Sequence, residues 1–376
     1  MSTTVVLLLT AIGLLLLGAA WLMPSLALAT LPFGVRVPDE RADAPVVGEQ
    51  LRAYRWWIAL AGGAVLAAGT AWGLAGGDAA ALPVTLVALL AVQLAGYLRA
   101  HRAIAAVKQR EGWFDGLHEG VAADTSLRTD PARFPWLWSL PAVLLTLGTA
   151  VAGALRYPSM PAQLAMHFNG PGRADRLAAK SVGSAFAPVI AQVVLTLVML
   201  LVGWAVFRAR PDLDPARVKV TAEQHRRFLA RMARSLMVLT FGADLSITVA
   251  AWRIWDGART LSPLALLLPT ALGLAVVLVV AISSGQQGSR SPAREAAGVA
   301  DVTGAEARSG RPAVVHRDDD RYWRLGGLCY VNRADSAAFV PRRFGIGWTI
   351  NLGSPYGILF LALTIALAVG LPLLTG

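Results

Sequence analysis

Apolar runs long enough to cross a bilayer recur from one end of this chain to the other. About 30 Å of hydrocarbon takes roughly 20 apolar residues to span as a helix. No water is there to satisfy a free N–H or C=O, so each run must close its own backbone hydrogen bonds. Eight stretches qualify, roughly residues 5–29, 57–75, 82–98, 137–155, 185–207, 235–255, 264–282 and 357–374. A content of 56% hydrophobic against 15% charged residues, with a positive mean hydropathy, excludes an ordinary soluble domain. Ten of the twelve tryptophans fall near the ends of these runs, where amphipathic rings favour the headgroup region. The expected fold is an all-α integral membrane protein of about eight transmembrane helices.

Charge placement gives an expected orientation. Lys and Arg in alternate connections number 28 on one side and 5 on the other, with Arg253 left within a run. By the positive-inside rule both termini, and the connection holding His167, are expected outside the cell membrane. The first run ends in an Ala/Leu-rich stretch like a signal peptide. Removing it would carry the basic connection at residues 99–133 outward, and Met1-Ser-Thr-Thr offers no basic n-region, so the run is kept as a span. The net charge of +11 is then a cytoplasmic excess facing anionic lipid, and the bilayer is the expected partner. It is spread over four connections, which argues against nucleic acid. A single cysteine, Cys329, excludes an internal disulfide.

The chain divides unevenly. Residues 1–134 hold three spans with basic connections, 135–210 hold two spans around the His167 connection, and 211–282 hold a cytoplasmic helix and two spans. Residues 283–316 are rich in Gly, Ser, Ala, Pro and Arg without apolar period and read as a flexible linker. Residues 317–355 concentrate aromatic and aliphatic side chains, and Tyr322 to Val331 reads as a hairpin turning on Gly326-Gly327. A module this small buries little core alone, so it is expected to dock on the membrane or on other cytoplasmic connections before the last span at 356–376.

The connection between the fourth and fifth spans carries the densest chemistry. It reads Tyr157-Pro158, Met160-Pro161, His167-Phe168-Asn169, Gly172, Asp175 and Lys180. This pattern resembles the signature loop of a bacterial family of membrane proteins of unknown function, a domain also found in immunity proteins that protect Bacillus from its own Sdp toxin. Phe33 to Pro38 is similar to a motif in one branch of that family. Asp319 to Asn351, with Trp323, Asn332, Arg342, Arg343, Trp348 and Asn351, resembles a second uncharacterised domain that accompanies the first. With the charge count setting these two motif regions on opposite faces, the loop is expected to meet an extracellular peptide or envelope ligand and the module a cytoplasmic regulator.

Read as chemistry, His167, Phe168, Asn169, Gly172, Asp175 and Lys180 fit either recognition or loop structure. Asn169 and Gly172 suit a turn, while Asp175 suits pairing with Arg173, Arg176 or Lys180. Their spacing matches no standard metal pattern, and no metal or cofactor is expected. Asp244 stands mid-span with Thr240, Ser246 and Thr248 nearby, and an acid at that depth faces a partner or a wet cavity by default. Gln192, Gln93 and Arg253 are its candidate partners. Asp318-Asp319-Asp320 reads as a solvated run or helix cap, and Arg342-Arg343 as an anchor for the last span at the cytoplasmic surface. No phosphate loop, nucleophile elbow or zinc-protease motif is present, so catalysis is not expected. The function classes left are a non-enzymatic sensing, immunity or envelope-stress protein, a proton- or ion-coupled transporter built on Asp244, and a membrane hydrolase.

Overall fold

The computed structural model describes residues 3–77, 80–120, 132–169, 172–207, 209, 211–215, 217–290 and 314–375. Its helices are α1 (Thr3–Leu26), α2 (Pro45–Trp57), α3 (Gly63–Leu74), α4 (Ala81–Arg110), α5 (Leu140–Arg156), α6 (Val182–Val206), α7 (Val218–Trp255), α8 (Pro263–Ser284) and α9 (Pro355–Thr375). A single π-helical turn, Ile58–Gly62, joins α2 to α3, so Pro45–Leu74 runs as one crossing. Among the described residues seven helices are long and apolar enough to cross a membrane, against eight expected. The last contributes a shorter apolar segment, Pro355–Ala366.

Local sequence explains the helix ends. Ser181 opens α6 with a capping box: its hydroxyl accepts from the Ser184 N–H at 3.1 Å, and the Ser184 hydroxyl accepts from the Ser181 N–H at 2.9 Å. Ser262 caps α8 just before Pro263, which suits a first helical position because its missing N–H would be unpaired anyway. Gly285, at φ +67°, ends α8.

Helices α1 to α4 pack together, as do α5 to α8, and α9 lies against α6. Leu264, Leu267, Leu268 and Leu272 of α8 are exposed, as lipid-facing positions would be. Close approach is reserved for helix crossings. A Cβ on Gly242 of α7 would stand 2.5 Å from the Pro269 carbonyl oxygen, and one on Gly273 of α8 would stand 2.8 Å from Leu239 Cα. Two facing glycines therefore bring these backbones together, and the Ser246 and Thr270 hydroxyls meet at 2.8 Å beside them.

Strands lie at the two ends of the helices. At one end β2 (Gln163–Phe168) and β3 (Ala174–Ala179) form an antiparallel hairpin between α5 and α6. At the other end β1 (His118–Gly120) pairs in parallel with β4 (Val314–His316). There β5 (Trp323–Arg324) pairs with β6 (Cys329–Tyr330), and β7 (Phe339–Pro341) with β8 (Trp348–Ile350). The β5–β6 turn carries Leu325, Gly326 and Gly327 at positive φ, consistent with the glycine pair read there. Most of the stretch read as a linker, residues 291–313, lies outside the described residues. Its two described margins are structured, as the Gln286–Gly288 turn and as β4.

The α7–α8 crossing yields a direct test. Gly242→Ala should cost about 1 to 3 kcal/mol through overpacking against backbone that cannot yield. Gly148→Ala, at a position with nothing within 4 Å, should be neutral or stabilising. Thermal unfolding of the purified variants in one detergent separates the two, and equal behaviour would contradict the close crossing.

Candidate functional site

The segment read as a polar loop is a β-hairpin seated on helices. Leu164 and Ala165 are buried, and Leu164 joins Met160, Ala185, Val189, Ala251 and Trp255 in a cluster at the ends of α6 and α7. The Trp255 indole N–H donates to the Ala185 carbonyl at 2.8 Å within it. A register shift at Ala165/His167 interrupts the pairing and leaves His167 opposite Arg176. That irregularity hid the strand from a period-two reading.

Asn169 and Gly172 shape the tip, as their types implied. Asn169 Oδ1 accepts from the Arg173 N–H at 2.9 Å, and its carbonyl accepts from the Gly172 N–H at 2.7 Å. Gly172 holds φ +81°, and its carbonyl accepts from the Leu261 N–H at 2.8 Å, tying the tip to the α7–α8 connection. Lys180 is a brace: its Nζ lies 3.4 Å from the Tyr157 carbonyl and 3.1 Å from that of Met160, with the Tyr157 ring beneath it. An ammonium beyond the C-terminus of α5 also suits the carbonyl end of the helix. Asp175 is therefore free of Lys180 and pairs with His167 instead, Nδ1 to Oδ1 at 2.6 Å, with side chains 61% and 44% exposed. Phe168 closes the ladder opposite Ala174. The outward chemistry of the hairpin is thus an exposed His–Asp pair flanked by the exposed Arg173 and Arg176.

At the opposite end, charged residues read as surface groups are gathered inward. Arg343, expected as a surface anchor, is 2% exposed. Its guanidinium binds Asp319 and Asp320 and donates to the Gly34 carbonyl at 3.0 Å, with the Trp323 ring at 5.1 Å. Arg342 is the exposed neighbour, and its carbonyl accepts from Gln286. The Asp318-Asp319-Asp320 run is not simply solvated. Lys108 Nζ stands 2.7 Å from both Asp318 and Asp320, and Arg36 reaches Asp212 at 2.7 Å and Asp319 at 3.8 Å. Sequence reading noticed Phe33 to Pro38 but could not pair Arg36 with partners about 180 and 280 positions away.

The aromatic residues of the module close around this cluster. Phe344 lies 4.4 Å from Tyr97 and 5.9 Å from Phe33, while Trp323 meets Tyr330 at 5.0 Å. Trp348 sits 5.4 Å from Phe228 of α7. Asn351, fully buried, accepts from the Asn332 and Gly353 N–H groups at 3.0 and 2.9 Å. Its Nδ2 lies within 3.1 Å of the Asn332, Asp335 and Ala337 carbonyls, and the Asn332 amide donates to the Tyr330 hydroxyl at 3.1 Å. These two asparagines staple the module's turns.

Asp244 lies within the helices and is fully buried. Its Oδ2 accepts from Thr196 at 2.8 Å, and its carbonyl accepts from Gln192 Nε2 at 2.9 Å. Gln192 also donates to Thr248, which meets Thr149 of α5 at 3.1 Å. Of its candidate partners Gln192 is the one realised. Gln93 donates to the Leu16 carbonyl and Arg253 to that of Thr260. Among the described residues no three His, Cys, Asp or Glu side chains cluster to hold a metal.

The inner cluster sets a pH dependence. Burial alone would raise the Asp212 pKa, but Arg36 and His316 outweigh it and hold the carboxyl at about 2. Asp320 is likewise lowered against its burial, by Arg343 and Lys108. Burial, with Arg36 adding to it, lowers the pKa of His316. Depressed carboxyls contribute fully above their ordinary 3.8 and lose that contribution as pH falls toward 2, while a depressed histidine contributes fully above 6.5 and loses it below. Amide exchange across β5 to β8, corrected for intrinsic rates, should therefore show mild loosening below pH 6.5 and loss of protection below 3.8. His316→Gln should shrink the first step, to which the buried His225 also contributes, and leave the second unchanged.

Two parts of the chain match families of unknown function. Residues 144–191, which contain most of α5, the whole hairpin and the start of α6, match a domain of unknown function, DUF1648. Residues 333–358, which contain Arg342, Arg343, Trp348 and Asn351, match a family of unknown function, DUF5808. No curated protein and no solved structure matches the chain. Seven apolar helices and these two domains of unknown function describe a multi-pass membrane protein.

Proposed function

We propose that this chain is a non-enzymatic sensing or immunity protein of the bacterial cell membrane. In this reading the β2–β3 hairpin is the extracytoplasmic recognition element, meeting a peptide or envelope ligand, and the 314–354 module is the cytoplasmic element. One observation carries it: the hairpin inside one matched region and the module that holds most of the other lie at opposite ends of the helices. The excess of Lys and Arg on the module's side supports the orientation. The exposed His167–Asp175 pair offers a donor and a carboxylate to a ligand without a buried nucleophile beside it. Beside the inner cluster a cleft of about 380 Å³, lined by Arg36, His316, Arg317, Tyr322 and Asn332 among others, suits a polar segment of a cytoplasmic regulator. A coupled-transport reading draws on Asp244 alone.

Two measurements test this. With Cys329 replaced by Ser, Arg176→Cys should react with a membrane-impermeant maleimide in intact cells, whereas Ala334→Cys should react only after lysis. The reverse pattern would invert the orientation. In a deletion strain challenged with peptide toxins and envelope stress, the wild-type gene should restore survival, and His167→Ala/Asp175→Ala, expressed to the same level, should fail to do so. Full complementation by that double variant would remove the hairpin pair from the function.

A further inference from the structure

The polar chain inside α5, α6 and α7 ends in three oxygens that the protein does not satisfy: Asp244 Oδ1, Gln192 Oε1 and Thr146 Oγ1. Each belongs to a residue more than nine-tenths buried. Each comes from a different helix, and the three helices pack on one another. Their depths coincide. Thr146 lies ten residues before Arg156 at the end of α5, Gln192 ten after Val182 at the start of α6, and Asp244 eleven before Trp255 at the end of α7. At 1.5 Å rise per residue, all three sit about 15 to 17 Å below the hairpin end. One turn nearer that end, Thr149, Thr248 and the Gln192 amide close the same helices together.

Two unpaired acceptor oxygens and an unpaired hydroxyl, on residues at similar depth in three packed helices, are a costly arrangement for a dry interior. Among the described residues the neighbouring donors are committed elsewhere, and the Thr146 hydroxyl reaches neither Asp244 Oδ1 nor Gln192 Oε1. Thr196 donates to Asp244 Oδ2, and the Gln192 amide nitrogen donates to the Asp244 carbonyl and to Thr248. Among the described residues no Lys, Arg or His forms an ion pair with Asp244. A carboxylate, an amide carbonyl and a hydroxyl make a hard oxygen set of the kind that binds alkali and alkaline-earth cations. Asp244 is the single acid in α5, α6, α8 and the 235–255 stretch of α7. One negative charge balances one monovalent ion, and a divalent ion would leave a net charge buried.

We infer that Asp244, Gln192 and Thr146 form a binding site for a dehydrated monovalent alkali cation within the membrane-spanning helices, bridging α5, α6 and α7. This inference does not depend on the sensing role. Binding would lock the three helices at mid-depth, so the ion would act as a structural or coupling ligand of whatever motion the helices make.

The full-length protein, purified in detergent without sodium or potassium, tests the site with 22Na+ at pH 8.5. Saturable binding of about one ion per chain is expected, together with a thermal midpoint that rises with NaCl but not with N-methylglucamine chloride at equal ionic strength. Asp244→Asn should weaken binding at least tenfold, and Thr146→Val several-fold. Lack of saturable binding of 22Na+ and of 86Rb+ by the wild type overturns the inference and leaves Asp244 protonated or hydrated. The wild-type result decides this even if Asp244→Asn fails to fold. Unchanged binding by a folded Asp244→Asn protein also overturns it.

Discussion

The arrangement of the module end depends on two arginines that water does not reach. Arg36 and Arg343 are 3% and 2% exposed, and stripping a guanidinium of water costs several kcal/mol unless carboxylates replace it. Their carboxylates come from distant pieces of chain: Asp212 between α6 and α7, and Asp319 and Asp320 in the module. Lys108, at the end of α4, completes the set. Arg343 finds its carboxylates within the module, Lys108 and Arg36 tie that module to the first helical group, and the Arg36–Asp212 pair carries the link on to the chain between α6 and α7. Breaking such a set by removing one partner costs about 3 to 5 kcal/mol, mostly from the charge left behind. Arginine is required at 343, because a planar fork can hold Asp319, Asp320 and the Gly34 carbonyl simultaneously and an ammonium cannot match that geometry.

The hairpin end is built on the opposite principle. Its position is set by backbone bonds and by Lys180 reaching carbonyls at the end of α5, while its own acid–base pair is left in the open. An exposed pair of this kind contributes about 0 to 1 kcal/mol, so His167 and Asp175 hold nothing together. Charge that is buried and multiply bonded is structural. Charge that is held in place yet exposed is available to a ligand, and this contrast between the two ends supports the proposal that the hairpin recognises one.

What could be read from the sequence follows the range of the interactions. The apolar runs locate the helices because span length and backbone satisfaction are local requirements, and the Gly326-Gly327 turn was legible for the same reason. The first run was read to residue 29, yet α1 stops at Leu26, where the chain bends toward the Phe33 motif. The β2–β3 hairpin escapes a period-two reading because its strands are six residues long and carry a register shift, the buried residues of β2 are the adjacent Leu164 and Ala165, and β3 has none. Arg343 and the Asp318–Asp320 run were read as surface charges. Composition cannot tell a solvated charge from one whose partner lies 23 or 283 positions away, as Arg343–Asp320 and Arg36–Asp319 do. Asp244 was legible as a buried acid and Gln192 as its neighbour, but Thr146 was not, since a threonine in a span returns its hydroxyl to the preceding turn in many helices.

Helix α7 links the two ends. It meets Trp348 of the module through Phe228, and the hairpin cluster through Ala251 and Trp255. Between lipid tails, apolar burial supplies little drive for helix association, so register must come from close backbone contact and directional polar bonds. Both are present mid-helix: Gly242 against Pro269 on the α8 side, and Asp244 with Thr196 and Gln192 on the α6 side. Those contacts are two residues apart, so α7 is gripped from two directions at one level. A shift of α7 along its axis would break both at once. Any signal between hairpin and module carried by α7 must therefore pivot about Asp244 rather than slide past it.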